Sequence, residues 1–291
     1  MLTSFGRTLL SLLLSIMTVF TSIGTVLLPK SDKPDTAVDG HVRIMSFNID
    51  TKFVLKSSYS TPALIAKYRP DSVGLQECNV LWMSELRAQL PDYAYVGVGR
   101  DTGDRSLICG EMCAIMYRKD KYRLSDSGTF WLSETPEKPS RGWEAEYNRI
   151  CTWVILESIA TGKKYVHMNT HLDYSGDITR EKSIELILGK AADFDLPVVI
   201  TGDFNFHEGE PFYYQLVEGG LSDVKYLARD TMTGFTYFDR APEEMTDDTP
   251  IDFIWVNNGI TDVDTYKIVR DTVLGALPSD HYPVYSDMII Y

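Results

Sequence analysis

Eight acidic, amide or imidazole side chains stand where strand-like runs of this chain stop: Asn48, Glu77, His171, Asp203, Asn205, Asp252, Asp280 and His281. Val42 to Phe47 alternates apolar and polar residues and runs into Asn48-Ile49-Asp50. Ser72 to Gln76 leads to Glu77, Tyr165 to Thr170 leads to His171, and Leu196 to Thr201 leads to Gly202-Asp203-Phe204-Asn205. Period-two alternation marks a half-buried strand, and an unbroken apolar run marks one covered on both faces. Further strands are expected over Cys113–Arg118, Ile150–Leu156, Ile251–Val256 and Tyr282–Ile290, and helices over Pro62–Tyr68, Val80–Leu90 and Ile178–Ala192. There is no steady βαβ rhythm. The pattern therefore predicts an α/β (α+β) chain of two packed, mostly antiparallel sheets with helices outside. Strand ends that converge on one rim of such a sandwich can assemble a site from distant segments.

The first thirty residues do not belong to that pattern. Thr8 to Pro29 is 22 residues without a charge, preceded by Arg7 and followed by Lys30 and Lys33. A helix of that length could cross a bilayer, and the flanks fit an export signal. Residues 1–29 are thus expected to be a signal peptide or an N-terminal membrane anchor, 30–40 a polar linker, and 41–291 one domain. Either reading makes the domain extracytoplasmic, secreted or membrane-anchored, and a monomer is expected. In such a compartment Cys78, Cys109, Cys113 and Cys151 could form a disulfide, or serve as small buried hydrophobes. Their spacing fits no zinc pattern.

The chain carries 28 basic and 41 acidic residues, a net charge of −13. That field disfavours nucleic acid as a partner without forbidding it, because bound cations invert a local field. Basic residues expected near the rim are Arg141, Arg149, Lys119 and Lys121, but no aromatic-basic track follows them. Trp131, Trp143, Phe235 and Tyr237 are either pocket walls or packing anchors. No G-x-S-x-G elbow and no HExxH pair is present, so serine-hydrolase and zinc-protease chemistry lack their parts.

Six motifs follow in order: Ser46-Phe47-Asn48, Leu75-Gln76-Glu77, Asn169-Thr170-His171-Leu172, Thr201-Gly202-Asp203-Phe204-Asn205, Pro250-Ile251-Asp252-Phe253-Ile254 and Pro278-Ser279-Asp280-His281-Tyr282-Pro283-Val284. This series resembles the endonuclease/exonuclease/phosphatase superfamily, which includes pancreatic deoxyribonuclease, abasic-site endonucleases, neutral sphingomyelinases, inositol polyphosphate 5-phosphatases and deadenylases. The resemblance covers 41–291, and Gly128 to Trp153 is further similar to a bacterial branch of uncharacterised metal-dependent hydrolases. It implies a four-layer α/β sandwich and hydrolysis of a phosphate ester with Mg²⁺ or Mn²⁺.

By the same resemblance Glu77 would be the first metal ligand, with Asn48 and Asp280 completing or orienting its shell. Asp50 would be an additional carboxylate used by some branches. Asp203 would place or deprotonate the attacking water, and Asn205 would hydrogen-bond the phosphate. His281 would pair with Asp252, and either that pair or Asp203 would take the proton of the water; His171 would donate to a phosphate oxygen, and Arg149 would add a charge-assisted contact. His167 is expected to be a packed or supporting histidine. Hard oxygen donors suit these cations, which neutralise charge on the phosphate. The expected function is a phosphodiesterase acting on a small or lipid-linked phosphate ester outside the cytoplasm. A secreted or anchored nuclease and a non-catalytic binding module on the same fold are the alternatives.

Overall fold

The computed structural model describes residues 40–53, 57–239, 241–242 and 249–290. The expected signal or anchor, and all of the linker but its last residue, lie outside the described residues. Among these residues twelve strands run in order with five α-helices: β1 (His41–Asn48), α1 (Ser60–Tyr68), β2 (Ser72–Cys78), α2 (Val80–Gln89), β3 (Tyr93–Val96), β4 (Met112–Arg118), β5 (Tyr122–Trp131), β6 (Ile150–Ser158), β7 (Lys164–His171), α3 (Asp177–Ala192), β8 (Val198–Asp203), α4 (Pro211–Glu218), β9 (Ser222–Asp223), α5 (Val224–Leu227), β10 (Asp252–Val256), β11 (Asp262–Ile268) and β12 (Val284–Ile289). Sequence periodicity missed β3, β5, β9, β11 and the helices α4 and α5. β5 exposes four consecutive residues, so it carries little alternation to read.

The strands form two six-stranded sheets, ordered β11-β12-β1-β2-β4-β3 and β5-β6-β7-β8-β10-β9. Each sheet repeats one plan, with a single parallel pair at its centre (β1 with β2, β7 with β8) and antiparallel neighbours on both sides. A parallel pair needs a crossover, and α1 and α3 provide them. The consequence for function is direct. Both strands of each parallel pair end at the same rim, which brings Asn48 beside Glu77 and His171 beside Asp203. The antiparallel neighbours then begin at that rim, with Asp252 opposite Asp203.

Three apolar clusters build the four layers. Leu64, Leu75, Trp82 and Leu86 pack α1 and α2 on the outside of the first sheet. Ile184, Ile187, Leu216, Phe253 and Trp255 pack α3 and α4 on the outside of the second. Between the sheets, Ile44, Ile115, Leu156, Val199, Ile254 and Val284 form the apolar filling.

The inter-sheet space also holds a polar network. Asn169 on β7 donates to the carbonyls of Leu75 and Ala114, both at 3.0 Å, and its Oδ1 accepts from Gln76 at 2.6 Å and Thr201 at 3.0 Å. His167 lies wholly buried beside it, with Nδ1 at 2.9 Å from Ser72 Oγ and Nε2 at 2.9 Å from Thr201 Oγ1. These bonds satisfy a neutral ring, and burial drives its pKa down to about 3. Gly74 faces the network. A Cβ there would lie 2.1 Å from Thr201 Oγ1 and 2.5 Å from Asn169 Oδ1, so the two sheets approach too closely for any side chain.

The four cysteines are buried and free. They serve as small core side chains; Cys78 and Cys109 lie under α2, and Cys151 faces α3.

The depressed pKa of His167 sets an acid sensitivity. The unfolded chain takes a proton near pH 6.5 and the folded one does not until about pH 3, so stability falls as pH drops through that window. At pH 5 the loss is about 2 kcal/mol. Urea unfolding of wild type and His167→Gln between pH 8 and 4 will show a slope that is steeper in the wild type; equal slopes would mean the ring is protonated in the fold.

Candidate active site at the strand-end rim

Two backbone devices aim Glu77. Along β2, Leu75 and Cys78 face α1 and α2, while Gln76 faces the other sheet. Simple alternation would send Glu77 toward the helices. Instead the pairing with β4 steps from Leu75–Ala114 to Cys78–Met112, a bulge of one extra residue in β2, and Glu77 adopts a left-handed φ of 55°. Bulges of this kind re-aim a side chain beside a site. Asp50 (φ 47°) and Asn205 (φ 51°) are left-handed too, so three of the candidate residues at this rim carry a positive φ. Such backbone costs of order 1–3 kcal/mol per residue and persists where its surroundings fix it. Here they do: Asn79 caps α2 through Leu81 N and Trp82 N, and Trp82 Nε1 donates to the carbonyl of Asp50 at 3.0 Å.

The first sheet contributes a set of oxygen donors. Asn48 Nδ2 donates to Glu77 Oε1 at 3.3 Å and to Asp203 Oδ2 at 3.0 Å, while Asn48 Oδ1 accepts from Asp50 N. Glu77 Oε2 accepts from Thr51 N at 3.2 Å, and Asp50 Oδ1 accepts from Lys52 N at 2.7 Å. Ser279 ties in the last motif, donating to the Asn48 carbonyl at 2.7 Å and accepting from His281 N at 3.1 Å. Burial holds the Asp50 carboxyl above its usual range, and Glu77 raises it further. Asp280 is raised by burial too, with Asp50 and Glu77 adding repulsion.

Three carboxylates that repel one another around an amide oxygen fit a hard divalent cation. They do not close into a cage. Among the described residues the one group of three close metal-capable side chains is Asp203, Asp252 and His281, all buried. There the His281 Nδ1 to Asp252 Oδ2 bond of 2.8 Å already occupies the ring nitrogen and the carboxylate, so the group reads as a hydrogen-bonded chain. The wider spacing on the Glu77 side suits Mg²⁺ or Mn²⁺, which take one or two carboxylates and keep several waters.

The second sheet contributes the proton-handling groups. Burial opposes charge on His281, but Asp252, with Asp203 and Asp280, outweighs it and pushes the imidazolium up to about 10. Its Nε2 faces Asp203 Oδ2 at 3.7 Å, and the Tyr237 ring covers it at 4.9 Å. Asp203 is raised to about 7 by burial and by Asp252, against the pull of His281 and Asn48. His171 is held well below its ordinary value by burial and by Arg149 and Arg100.

His171 and Asn205, both expected to touch phosphate, line the cleft in contact with each other. His171 Nε2 lies 3.0 Å from Asn205 Nδ2 and 3.4 Å from Asp203 Oδ2, and the same Asn205 amide donates to the Leu172 carbonyl at 2.9 Å. The amide protons of Asn205 are therefore committed to holding the His171 segment. Arg149 is buried with its Nε 3.2 Å from Asp173 Oδ2, which fixes it along the wall.

All ten candidate residues fall in this one region. A cleft of about 480 Å³ is lined by eight of them: Asp50, Glu77, Arg149, His171, Asp203, Asn205, Asp280 and His281. Asn48 and Asp252 stand directly behind that wall, bonded to Asp203 and His281. Sequence reasoning missed Arg100, Glu111, Tyr147 and Tyr174 on the same walls. Arg100 pairs with Glu111 at 2.7 Å and stacks over Tyr147 at 4.8 Å. Both charges lie on the β3–β4 loop, where no periodicity marks a position. Of the four aromatic side chains considered, Tyr237 lines the cleft. Trp131 is buried with Nε1 bonded to the Arg100 carbonyl, and Phe235 packs on Tyr282. Lys119 and Lys121 lie at the opposite end, where Lys121 pairs with Asp71 just before β2.

The model of the Endonuclease/Exonuclease/phosphatase family matches residues 45–281. The fold is similar to that of an endonuclease/exonuclease/phosphatase from Bacteroides vulgatus, with a TM-score of 0.80 and 34% identity over 86% of this chain and 99% of that one. It is similar as well to a mannosyl-6-phosphatase from Bacteroides thetaiotaomicron, with a TM-score of 0.79 and 30% identity over 86% of this chain and 100% of that one. An uncharacterized protein of Acanthamoeba polyphaga mimivirus is 30% identical over 157 residues, 49% of this chain and 55% of that protein. That match thus spans about half the length of the curated relative.

The pairing of His281 with Asp252 gives a titration that can be read directly. In metal-free protein the His281 ring stays protonated through neutral pH, and Asp252→Asn removes the charge that holds it there, moving its titration downward. Imidazole NMR shifts between pH 5 and 10 check this; an unmoved titration in the variant would remove Asp252 as the cause.

Proposed function

Because this chain belongs to the endonuclease/exonuclease/phosphatase family, we propose that it is a divalent-metal-dependent phosphoester hydrolase acting on a small or lipid-linked phosphate ester outside the cytoplasm. Members of the family are phosphoester hydrolases. One observation carries the proposal: the buried Asp252–His281–Asp203 line faces the oxygen donors Asn48, Glu77, Asp50 and Asp280 across a single cleft.

In this reading Glu77 holds the cation, with Asn48, Asp50 and Asp280 around it. Mg²⁺ or Mn²⁺ bound there supplies charge neutralisation at the phosphate. Asp203 takes the proton of the attacking water, since its raised pKa matches a base that works near neutral pH. His281, kept cationic by Asp252, donates from Nε2 to the charge that builds on phosphate oxygen. Asn48 Nδ2 holds the Asp203 carboxylate in line, and Asn205 fixes His171 beside it. Arg149, braced by Asp173, adds positive charge along the cleft wall without having to be ordered on binding.

A cleft of this volume suits a small ester better than an extended strand, and its two wall arginines are each paired with a carboxylate. Both features weigh against the nuclease reading. A second reading, a phosphomonoester such as a sugar phosphate, is favoured by the likeness to a protein called a mannosyl-6-phosphatase. The 22 uncharged residues from Thr8 to Pro29 support the extracytoplasmic location.

Turnover of bis-p-nitrophenyl phosphate beside p-nitrophenyl phosphate separates the two esters. We expect Mg²⁺- or Mn²⁺-dependent hydrolysis that EDTA abolishes. Glu77→Gln, Asp203→Asn and His281→Ala should each lower kcat by about 10²–10⁴-fold with the circular dichroism unchanged. Full turnover in all three variants would place the chemistry elsewhere. Absent turnover, together with no cation binding by calorimetry, would support a binding module instead.

Isothermal titration of the metal-free protein should further show that Glu77→Gln weakens Mg²⁺ or Mn²⁺ binding at least as much as Asp50→Asn. The reverse order would make Asp50 the principal ligand.

A further inference from the structure

The three most exposed large aliphatic side chains among the described residues are Leu274 at 90%, Leu107 at 83% and Ile108 at 80%. All three lie on turns at the strand-end rim. Leu107 and Ile108 top the loop that enters β4 at Met112, opposite Cys78, one residue past Glu77. Leu274 tops a tight turn closed by the Val273–Ala276 pairing, in the segment that returns to Ser279-Asp280-His281. Tyr147, Tyr174 and Tyr237, each about 40–50% exposed, line the cleft wall at the same rim. Water-exposed aliphatic tips around a ring of half-exposed tyrosines match what an interface between water and lipid selects.

We propose that the active-site rim docks on a zwitterionic lipid surface, with Leu107, Ile108 and Leu274 entering the headgroup layer and the cleft opening toward it. The inference rests on the hydrolase reading only for its purpose, which is to present the cleft to a phosphate ester held in that surface. A flat protein partner fits the geometry poorly. The aliphatic groups sit on two separate loops whose other residues, Arg100 and Glu111 on one and Asp280 and His281 on the other, wall the cleft, and a body seated across them would close it. Residues 30–291 carry 27 basic against 41 acidic residues, a net of −14. That charge repels both an anionic membrane and a second copy, and leaves a zwitterionic surface as the occupant.

The length of chain before the fold permits this orientation. β1 leads from its first residue, His41, to the rim at Asn48, about 25 Å away. The ten residues 30–39 can reach about 35 Å, enough for a domain joined to the uncharged stretch Thr8 to Pro29 to turn its rim to the same bilayer.

The test uses the full chain with phosphatidylcholine vesicles and single tryptophan replacements. Ile108→Trp and Leu274→Trp probe the rim, and Ile159→Trp probes the β6–β7 turn at the opposite end, where the native side chain is 45% exposed. The expected result is a blue shift of the added emission and its loss to spin-labelled lipid at 108 and 274, with no change at 159. Equal quenching at 159, or none at 108 and 274, overturns the proposal. So does a blue shift at 108 that appears without vesicles together with a doubled mass in solution, since the tips would then meet a second copy. Glu77→Gln should lose turnover and keep the quenching, so a failure of the hydrolase reading and a failure of docking are read separately.

Discussion

The amide of Asn169 is the interaction on which the rest of this structure depends. It stands on one sheet and donates to two carbonyls of the other, while its oxygen gathers Gln76 and Thr201. Two sheets packed through aliphatic side chains alone can slide at small cost, because such contacts have no direction. A buried amide has direction, and leaving it unpaired costs about 1–3 kcal/mol. The network therefore fixes the offset of the sheets as well as their separation. Gly74 records the same constraint, since the space a side chain would take is already filled. Only with that offset does Asn48 of one sheet reach Asp203 of the other at 3.0 Å.

Topology then decides what meets. Most of each sheet is antiparallel, an arrangement that scatters strand ends between two poles. One parallel pair per sheet breaks the scatter and places four strand ends at a single rim. A bulge and three left-handed residues make the final adjustments, turning Glu77, Asp50 and Asn205 away from the directions that strand alternation would give them. The helix cap at Asn79 and the Trp82 bond to the Asp50 carbonyl hold those adjustments in place. Strain at the rim is thus supported by ordinary secondary-structure chemistry one residue away.

Charge is distributed with comparable economy across the cleft. On one side carboxylates crowd together, and the repulsion around Asp50 and Asp280, to which Glu77 contributes, is of the kind that a bound cation would relieve. On the other side carboxylate and imidazole alternate, so that Asp252 keeps His281 charged while burial keeps His171 neutral. Two histidines within one cleft are held in opposite states by their neighbours. In the proposed reaction that division would separate a proton donor from a positioning ring without any difference in residue type.

The sequence by itself determined the two-sheet sandwich and the main helices, while the resemblance carried by its six motifs named the ten candidate residues. The first two are local matters, since a strand shows its buried face in its own alternation. The motifs also held more than they showed, for Gln76, Asn169 and Thr201 sit within them and serve the packing of the sheets. The tertiary structure alone decided the rest. It decided that Glu77 points into the cleft, because a bulge is a property of two paired strands. It decided that Arg100 and Glu111 line the site, because a loop has no period to betray which residue faces inward. It also set His281 charged and His171 neutral, because a pKa is fixed by the charges and the burial around a group, and those come from segments far apart along the chain.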